Sequence, residues 1–174
     1  VEINRMERFH IIEDGAFIAE PCAGDGALVG HLQSHGWRVR YAADIEPQAE
    51  WIKKEDALKA TDPIECDVIV TNPPWDRKIL HPMIDAFSDQ MPTWLLFDAD
   101  WMHTRQSAPY RNRLRRVVSV GRVKWIPGSK MTGKDNCCWY LFTRPSTAPT
   151  IFYGAQHGPR RLRIFTDRGG SYGA

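Results

Sequence analysis

Three short stretches of the chain are apolar almost without interruption, and each lies beside a turn signal. They are Ala16-Phe17-Ile18-Ala19, Asp67-Val68-Ile69-Val70 and Trp94-Leu95-Leu96-Phe97. Compact runs without polar alternation predict short buried strands. Arg38 to Ala43 reads as a fourth strand, less uniformly apolar. Between them the period lengthens. Gly26 to His35 places Leu28, Val29 and Leu32 on one helical face and closes on Gly36, a residue suited to the C′ position. Ile79 to Gln90 carries Ile79, Leu80, Met83, Ile84 and Phe87 at spacings of three and four, an amphipathic helix. Strands alternating with helices imply an α/β fold whose sheet is mostly parallel and covered on both faces.

The later half has a different pattern. Ser107 to Arg116 is basic and compatible with a helix, whereas Val117 to Ile126 and Cys137 to Thr143 read as strands. The polar, glycine-containing stretch Pro127 to Asn136 reads as a long loop, so the two strands are expected to form an antiparallel hairpin at one edge of the sheet. Pro145 to Pro149 is linker-like, which divides the chain into a domain over 1–145 and a basic C-terminal extension over 146–174. That extension sets Arg160, Arg161, Arg163 and Arg168 among glycines and is expected to be partly flexible, loosest from Gly169 to Ala174.

At 174 residues, with 43% hydrophobic and 25% charged positions, the chain suits one compact core. No apolar run approaches the ~18 residues that span a bilayer, and no charged-then-apolar leader opens it, so no membrane association is expected. The first residue is Val1, which leaves open a trimmed N-terminus. The cysteines Cys22, Cys66, Cys137 and Cys138 form no CxxC spacing, and no histidine pair stands at zinc-site intervals. No metal is expected, and a reducing cytoplasm fits. Charge is the more informative quantity. Residues 1–100 hold 9 basic and 19 acidic side chains, a balance of −10, while residues 101–174 hold 14 and 2, a balance of +12. So steep a split suggests that one end of the domain meets a polyanion.

Phe17 to Leu28 reads as strand, glycine turn and helix start, with Gly24 and Gly26 permitting close backbone approach to a ligand. Asp44 ends the next strand twenty residues after Gly24, where a carboxylate can accept from ribose hydroxyls. A dinucleotide fingerprint would need a third glycine at position 29, which is Val29. Glu20 and Asp25 also surround the turn with carboxylates, a poor setting for a pyrophosphate. They suit a cofactor bearing an ammonium and a sulfonium, as S-adenosylmethionine does.

Thr71-Asn72-Pro73-Pro74-Trp75 directly follows the strand at 67–70, at the carboxyl end where open α/β sheets bind ligands. The prolines fix the backbone and donate nothing, leaving their carbonyls to accept. Asn72 adds an amide oxygen and Trp75 an aromatic face. Rigid acceptors beside a stacking ring suit the exocyclic amine of a planar base. Its nitrogen is a weak nucleophile because the lone pair is delocalised into the ring. Hydrogen bonds accepted by Asn72 Oδ1 and the Pro73 carbonyl would favour a more tetrahedral nitrogen able to attack a sulfonium methyl in line. In duplex DNA the base must first leave the stack, and Trp75 would hold it.

With these motifs in order, the chain resembles class I S-adenosylmethionine-dependent methyltransferases of the amino-methylating type. The likeness is greatest to DNA adenine-N6 enzymes of small, phage or bacterial kind. It covers about Phe17 to Phe142 and rests on Glu20 to Gly26, Asp44-Ile45, Glu55-Asp56-Ala57-Leu58 and Asn72 to Trp75; the strands flanking Asp135-Asn136 also fit. It implies a Rossmann-like sheet with an antiparallel edge hairpin and a cofactor site formed by Glu20, Pro21, Cys22, Gly24, Gly26, Asp44, Ile45, Asp56, Ala57 and Asn72. By that likeness Glu20 and Gly24 line the methionine end, Asp44 binds the ribose, Ile45 packs on the cofactor adenine and Asp56 accepts from its amino group. Asn72, Pro73, Pro74 and Trp75 would act on the target. The Pro21-Cys22 pair imitates the nucleophile of cytosine-C5 enzymes but occupies a different loop, so Cys22 reads as a small buried residue.

Nothing in the chain is long enough to be a separate target-recognition domain. Recognition is left to loops, to a protein partner, or to the basic residues Arg105, Arg111, Arg113, Arg115, Arg116, Lys124, Lys130 and Lys134, which are expected to contact phosphates. The oligomeric state is left open. His81 and His103 lack a nucleophile or ligand partner, and Trp101, Trp125 and Trp139 read as core or edge packing, with Trp101 the one nearest the active face. The same chemistry serves adenine in RNA, a protein glutamine amide and, less readily with Asn at the motif's head, cytosine N4. An idle methyltransferase fold that only binds nucleic acid is the non-enzymatic alternative.

Overall fold

The computed structural model describes residues 12, 15–60, 64–123 and 134–154. Its elements, in chain order, are β1 (Phe17–Glu20), α1 (Ala27–Ser34), β2 (Arg38–Asp44), β3 (Lys53–Lys54), β4 (Val68–Thr71), α2 (Arg77–Ser88), β5 (Thr93–Asp98), β6 (Leu114–Arg122), β7 (Asn136–Phe142) and β8 (Ile151–Tyr153). Two 3-10 helices, Ala99–His103 and Arg105–Tyr110, follow β5. All eight strands join one sheet in the order β3-β2-β1-β4-β5-β7-β6-β8. β3 through β5 are parallel, β7 runs antiparallel to both β5 and β6, and β8 pairs parallel with β6.

The uninterrupted apolar runs become the central strands. All four residues of β4 and the first five of β5 are buried, as expected of strands packed on both faces. One face carries Ile18, Val68, Val70, Trp94, Leu96 and Trp139 against Leu28 and Leu32 of α1. The other carries Ala19, Ile69, Leu95, Phe97 and Tyr140 against Leu80, Met83, Ile84 and Phe87 of α2. Helices therefore cover both faces. Asp76 caps α2 by accepting from the Lys78 N–H at 2.9 Å, so the proline turn leads into the helix without leaving that donor bare.

Three expectations need correction. The helix-compatible segment Ser107 to Arg116 is a 3-10 helix only to Tyr110 and becomes strand β6 at Leu114. Leu114, Val117, Val118 and Val120 are all buried there, and this β-branched run favours the sheet. The hairpin does form, but it is not the edge. Ile151 to Tyr153, assigned from sequence to the extension, pair with β6 and add an outer strand. Arg115 explains the attachment, since its guanidinium donates to the carbonyls of Leu114, Asn112, Ser146 and Ala148. Lys124, Trp125, Lys130, most of the loop between β6 and β7, and the arginine-rich tail lie outside the described residues.

Candidate active site

β2 and β3 extend from β1 to one side, β4 and β5 to the other, so strand order reverses between β1 and β4. Side chains at the carboxyl ends of such strands converge on the crevice this reversal opens. A cleft of about 410 Å³ lies there, lined by Pro21 and Cys22 after β1, Asp44 and Ile45 at the end of β2, Asp56, Ala57 and Leu58 after β3, and Asn72, Pro73 and Pro74 after β4. Ile79 and Met83 of α2 complete its wall. Its size is ordinary for a small-molecule site. A second, shallower cavity of about 290 Å³ is lined by Asn72, Pro73, Pro74 and Trp75. Asn72, Pro73 and Pro74 border both spaces.

Glu20 ends β1 directly before the cleft residues Pro21 and Cys22 and is fully buried, without lining the cleft itself. Its Oε1 accepts from the Thr71 hydroxyl across the β1–β4 boundary and from the Cys22 N–H at 3.2 Å, while Oε2 has no partner. Burial raises this carboxyl from an ordinary 4.5 to about 8, against the hydrogen bonds of Thr71 and Cys22. Asn72 stands one residue beyond Thr71, and its Oδ1 is likewise buried without a partner. Two unpartnered acceptors at one strand boundary are each costly to bury. They are the kind of group a bound ligand satisfies.

Asp44 is held rigidly, Oδ2 accepting from the Gly24 N–H and Oδ1 from the Glu46 N–H, both at 2.8 Å. Asp56 accepts from the Leu58 N–H at 3.1 Å and pairs with Lys59 at 2.9 Å; Lys59, with help from that N–H, holds its pKa below the usual carboxylate value. Ile45, 59% exposed, stands over the cleft as an uncovered apolar wall. The Cys22 thiol is free, and burial pushes it up to about 12, which removes it as a nucleophile near neutral pH.

The glycines divide in role. Gly24 faces open space, with φ +54 and its N–H committed to Asp44. At Gly26, φ is +84 and an added Cβ would lie 2.3 Å from the Trp51 ring, so this glycine admits an indole as well as a turn. Neither glycine lines the cleft. Sequence reasoning missed Leu58, Ile79 and Met83, the last two because helical spacing marks them only as core. It also missed Trp51 and Thr71, whose partners are remote in sequence.

No protein-family model matches the sequence, and comparison with curated proteins finds no match. Solved structures do resemble it. A candidate RNA methyltransferase from Pyrococcus horikoshii superposes with a TM-score of 0.58 at 12% identity, over 80% of this chain and 79% of that one. A candidate class I S-adenosylmethionine-dependent methyltransferase from Listeria monocytogenes gives 0.56 at 9% identity, over 87% and 64%. A dimethyladenosine transferase from Plasmodium falciparum gives 0.51 at 14% identity, over 82% and 61%. The fold is that of class I methyltransferases.

Within this methyltransferase fold the expected phosphate-binding arginines scatter. β6 begins at the end of the sheet where β5 begins, since Leu114 and Thr93 both pair with Phe142. Arg113, Arg115 and Arg116 therefore sit at the end remote from Asn72. Arg113 is 14% exposed and bonds Asp85, Asp89 and Ser88 at 3.1, 2.6 and 3.0 Å, which makes it a tie between β6 and α2. Arg115 is spent on backbone carbonyls, and Arg116 lines a different cavity with Ala16, Asp67 and Pro92. Arg113 and Arg115 are thus engaged within the protein, and all three stand away from the Asn72 end of the sheet. Arg105, Arg111 and Lys134 are exposed, and Lys134 flanks β7 at the Asn72 end. Arg122, not singled out from sequence, is exposed at the same end and pairs with Asn136.

His81 is not placed as a base. Its Nε2 accepts from the Trp101 indole at 3.1 Å, and burial, then Arg77, lowers its pKa. Trp101 and Trp139 are fully buried core residues. Among the described residues no group of side chains has a metal-binding arrangement, and no helix is long and apolar enough to cross a membrane.

Proposed function

We propose that this protein transfers a methyl group from S-adenosylmethionine to the exocyclic N6 amine of adenine in DNA. The observation that carries this reading is the wall the two cavities share. Asn72, Pro73 and Pro74 line both cavities, and the buried Asn72 Oδ1 has no partner. An acceptor so placed meets an amine entering from one side while a methyl donor occupies the other.

The cleft's residues fit the donor. Ile45 and Leu58 offer apolar surface for an adenine ring, Asp56 an acceptor for its amine, and Asp44 a fixed carboxylate for ribose hydroxyls. Glu20, whose Oε2 is unsatisfied, is a buried carboxyl that would ionise against the methionine ammonium on binding. S-adenosylmethionine supplies a methyl carbon on a positively charged sulfur, which departs as a neutral thioether. The chain's own work lies on the acceptor side. Asn72 Oδ1 and the Pro73 carbonyl accept from the two N–H groups and draw the nitrogen toward tetrahedral geometry. Its lone pair then forms the bond to carbon as the carbon–sulfur pair returns to sulfur. The nitrogen afterwards gives up one proton to water. Trp75, half-buried at the edge of the second cavity, stacks on the ring.

RNA is the second reading, favoured by the names of the structures from Pyrococcus and Plasmodium. Methyl transfer from labelled S-adenosylmethionine to unmethylated duplex DNA, single-stranded DNA and RNA, followed by nucleoside mass spectrometry, separates the two. N6-methyldeoxyadenosine is the expected product. Label confined to RNA replaces the substrate and keeps the chemistry; absence of cofactor binding overturns both readings.

A further inference from the structure

Four side-chain polar atoms among the described residues are buried without a partner: Glu20 Oε2, Asn72 Oδ1, Arg77 Nη1 and Trp139 Nε1. The proposed reaction uses the first two. Trp139 lies within β7, packed in the core on one face of the sheet. Arg77 is different. It opens α2 two residues after the Asn72–Trp75 motif, and its Nη2 donates to Asp98 Oδ2 at 2.8 Å. Asp98 ends β5, three residues beyond Leu95, which pairs with Thr71 at the end of β4. The guanidinium is thus fixed between the two chain segments that leave the sheet beside Asn72. Asp98 is held in turn, since its Oδ1 accepts from the Asp100 N–H at 2.8 Å and its carbonyl from the Tyr140 hydroxyl at 3.0 Å.

The Arg77 side chain is 26% exposed, but its Nη1 is buried without a partner while the other arm is in an ion pair, and a donor left bare in this way is costly. The bare Nη1 and the bare Asn72 oxygen are a donor and an acceptor five residues apart on the segment that leads from β4 into α2, although Arg77 itself lines neither cavity. A single group that satisfies both must carry an N–H next to a lone pair. Because Asp98 already balances the charge, a neutral acceptor suits Nη1 better than a phosphate. We infer that Arg77 is a base-recognition residue, donating from Nη1 to the ring nitrogen that flanks the target amine. On adenine this is N1 or N7. This inference rests on the amine-methylating reading and deepens it: the site would read the donor–acceptor edge of the base and reject bases that present O6 or O4 there.

The test is a cycle between a side chain and a substrate atom. Full-length protein and two variants, Arg77→Lys and the charge-balanced Arg77→Met/Asp98→Asn, are given oligonucleotides bearing adenine, 1-deazaadenine or 7-deazaadenine at a methylated position. Changes in base pairing cancel because each substrate is compared across the variants. Both variants are expected to lose about 10- to 100-fold in kcat/KM on adenine, the range for a hydrogen bond from a charged donor. One of the two deaza substrates should cost the wild type a similar factor and cost the variants nothing further. Cofactor affinity should stay within about twofold. Equal deaza penalties in wild type and variants, for both analogues, would overturn the inference and leave the proposed function intact, Arg77 then being only a tie to Asp98. Absence of methyl transfer to every wild-type substrate would overturn the function and the inference together.

Discussion

Glu20 and Asn72 each bury an oxygen without a partner, yet a change of pH acts on only one of them. Asn72 is neutral, so its replacement isolates geometry. Asn72→Ala is expected to lower turnover by about 10²- to 10³-fold, the usual cost of one preorganised polar group at a reacting centre, with cofactor affinity, read by calorimetry, nearly unchanged. Wild-type turnover in that variant would remove Asn72 from the chemistry. Glu20 titrates. Its folded pKa of about 8 exceeds the ordinary 4.5, so between these values the folded state retains a proton that the unfolded state has released. Stability from this group is therefore complete below about pH 4.5 and is lost as pH rises through about 8. Denaturant titrations should show wild-type stability falling over that window relative to Glu20→Gln, by an amount on the order of a few kcal/mol. Cofactor binding should show the opposite slope in wild type, because a bound ammonium favours the ionised carboxylate. A pH-independent affinity would mean that Glu20 does not face the cation.

At the scale of elements, strands and motifs were legible where their causes are local. β1, β4 and β5 follow from short runs of three or four apolar residues, and the site residues at their ends follow from strand-then-turn order. Asp44 and Gly24 were legible as a pair, though what joins them is a hydrogen bond rather than only a shared ligand. The misreadings share a physical origin. Arg113 and Arg115 look like surface charge in sequence because their partners are Asp85, Asp89, Ser146 and Ala148, far along the chain. A basic helix was expected where a strand forms, since no local spacing announces that carbonyls from 146–148 will absorb a guanidinium. Arg115→Ala tests this. It removes four hydrogen bonds and leaves the Ser146 and Ala148 carbonyls without that donor, while the Thr150 hydroxyl bond to Leu114 and the Ser146 N–H bond to Asn112 remain as nearby ties. Backbone amides of Ile151 to Tyr153 should exchange at least tenfold faster, while β4 and β5 amides keep their protection and cofactor binding persists. Unchanged exchange at 151–153 would assign the attachment of β8 to its strand pairing alone.

Over the whole molecule, the described basic residues after position 100 are not gathered at one end of the fold, because β6 and β7 run back and forth across the sheet. Arg113, Arg115 and Arg116 stand at the end away from Asn72, where Asp85 and Asp89 neutralise the first of them. Among the described residues, Arg122 and Lys134 stand at the other end, where β6 ends and β7 begins, placed to meet a polyanion beside the site. Two charge reversals should therefore behave differently. Arg122→Glu with Lys134→Glu is expected to weaken binding to a DNA duplex and to reduce the slope of log K against log salt by up to about 2, near 0.9 for each phosphate no longer neutralised. The fold and cofactor affinity should be unaffected. Arg113→Glu places a third carboxylate against Asp85 and Asp89 and should lower stability by about 1–3 kcal/mol, since Arg113 is largely buried while both aspartates are half exposed. The folded fraction of that variant should keep the wild-type salt slope. A reduced slope with Arg113→Glu and none with the pair at Arg122 and Lys134 would put the nucleic acid at the far end of the sheet, out of reach of Asn72, and so would count against the proposed reaction as well as the surface.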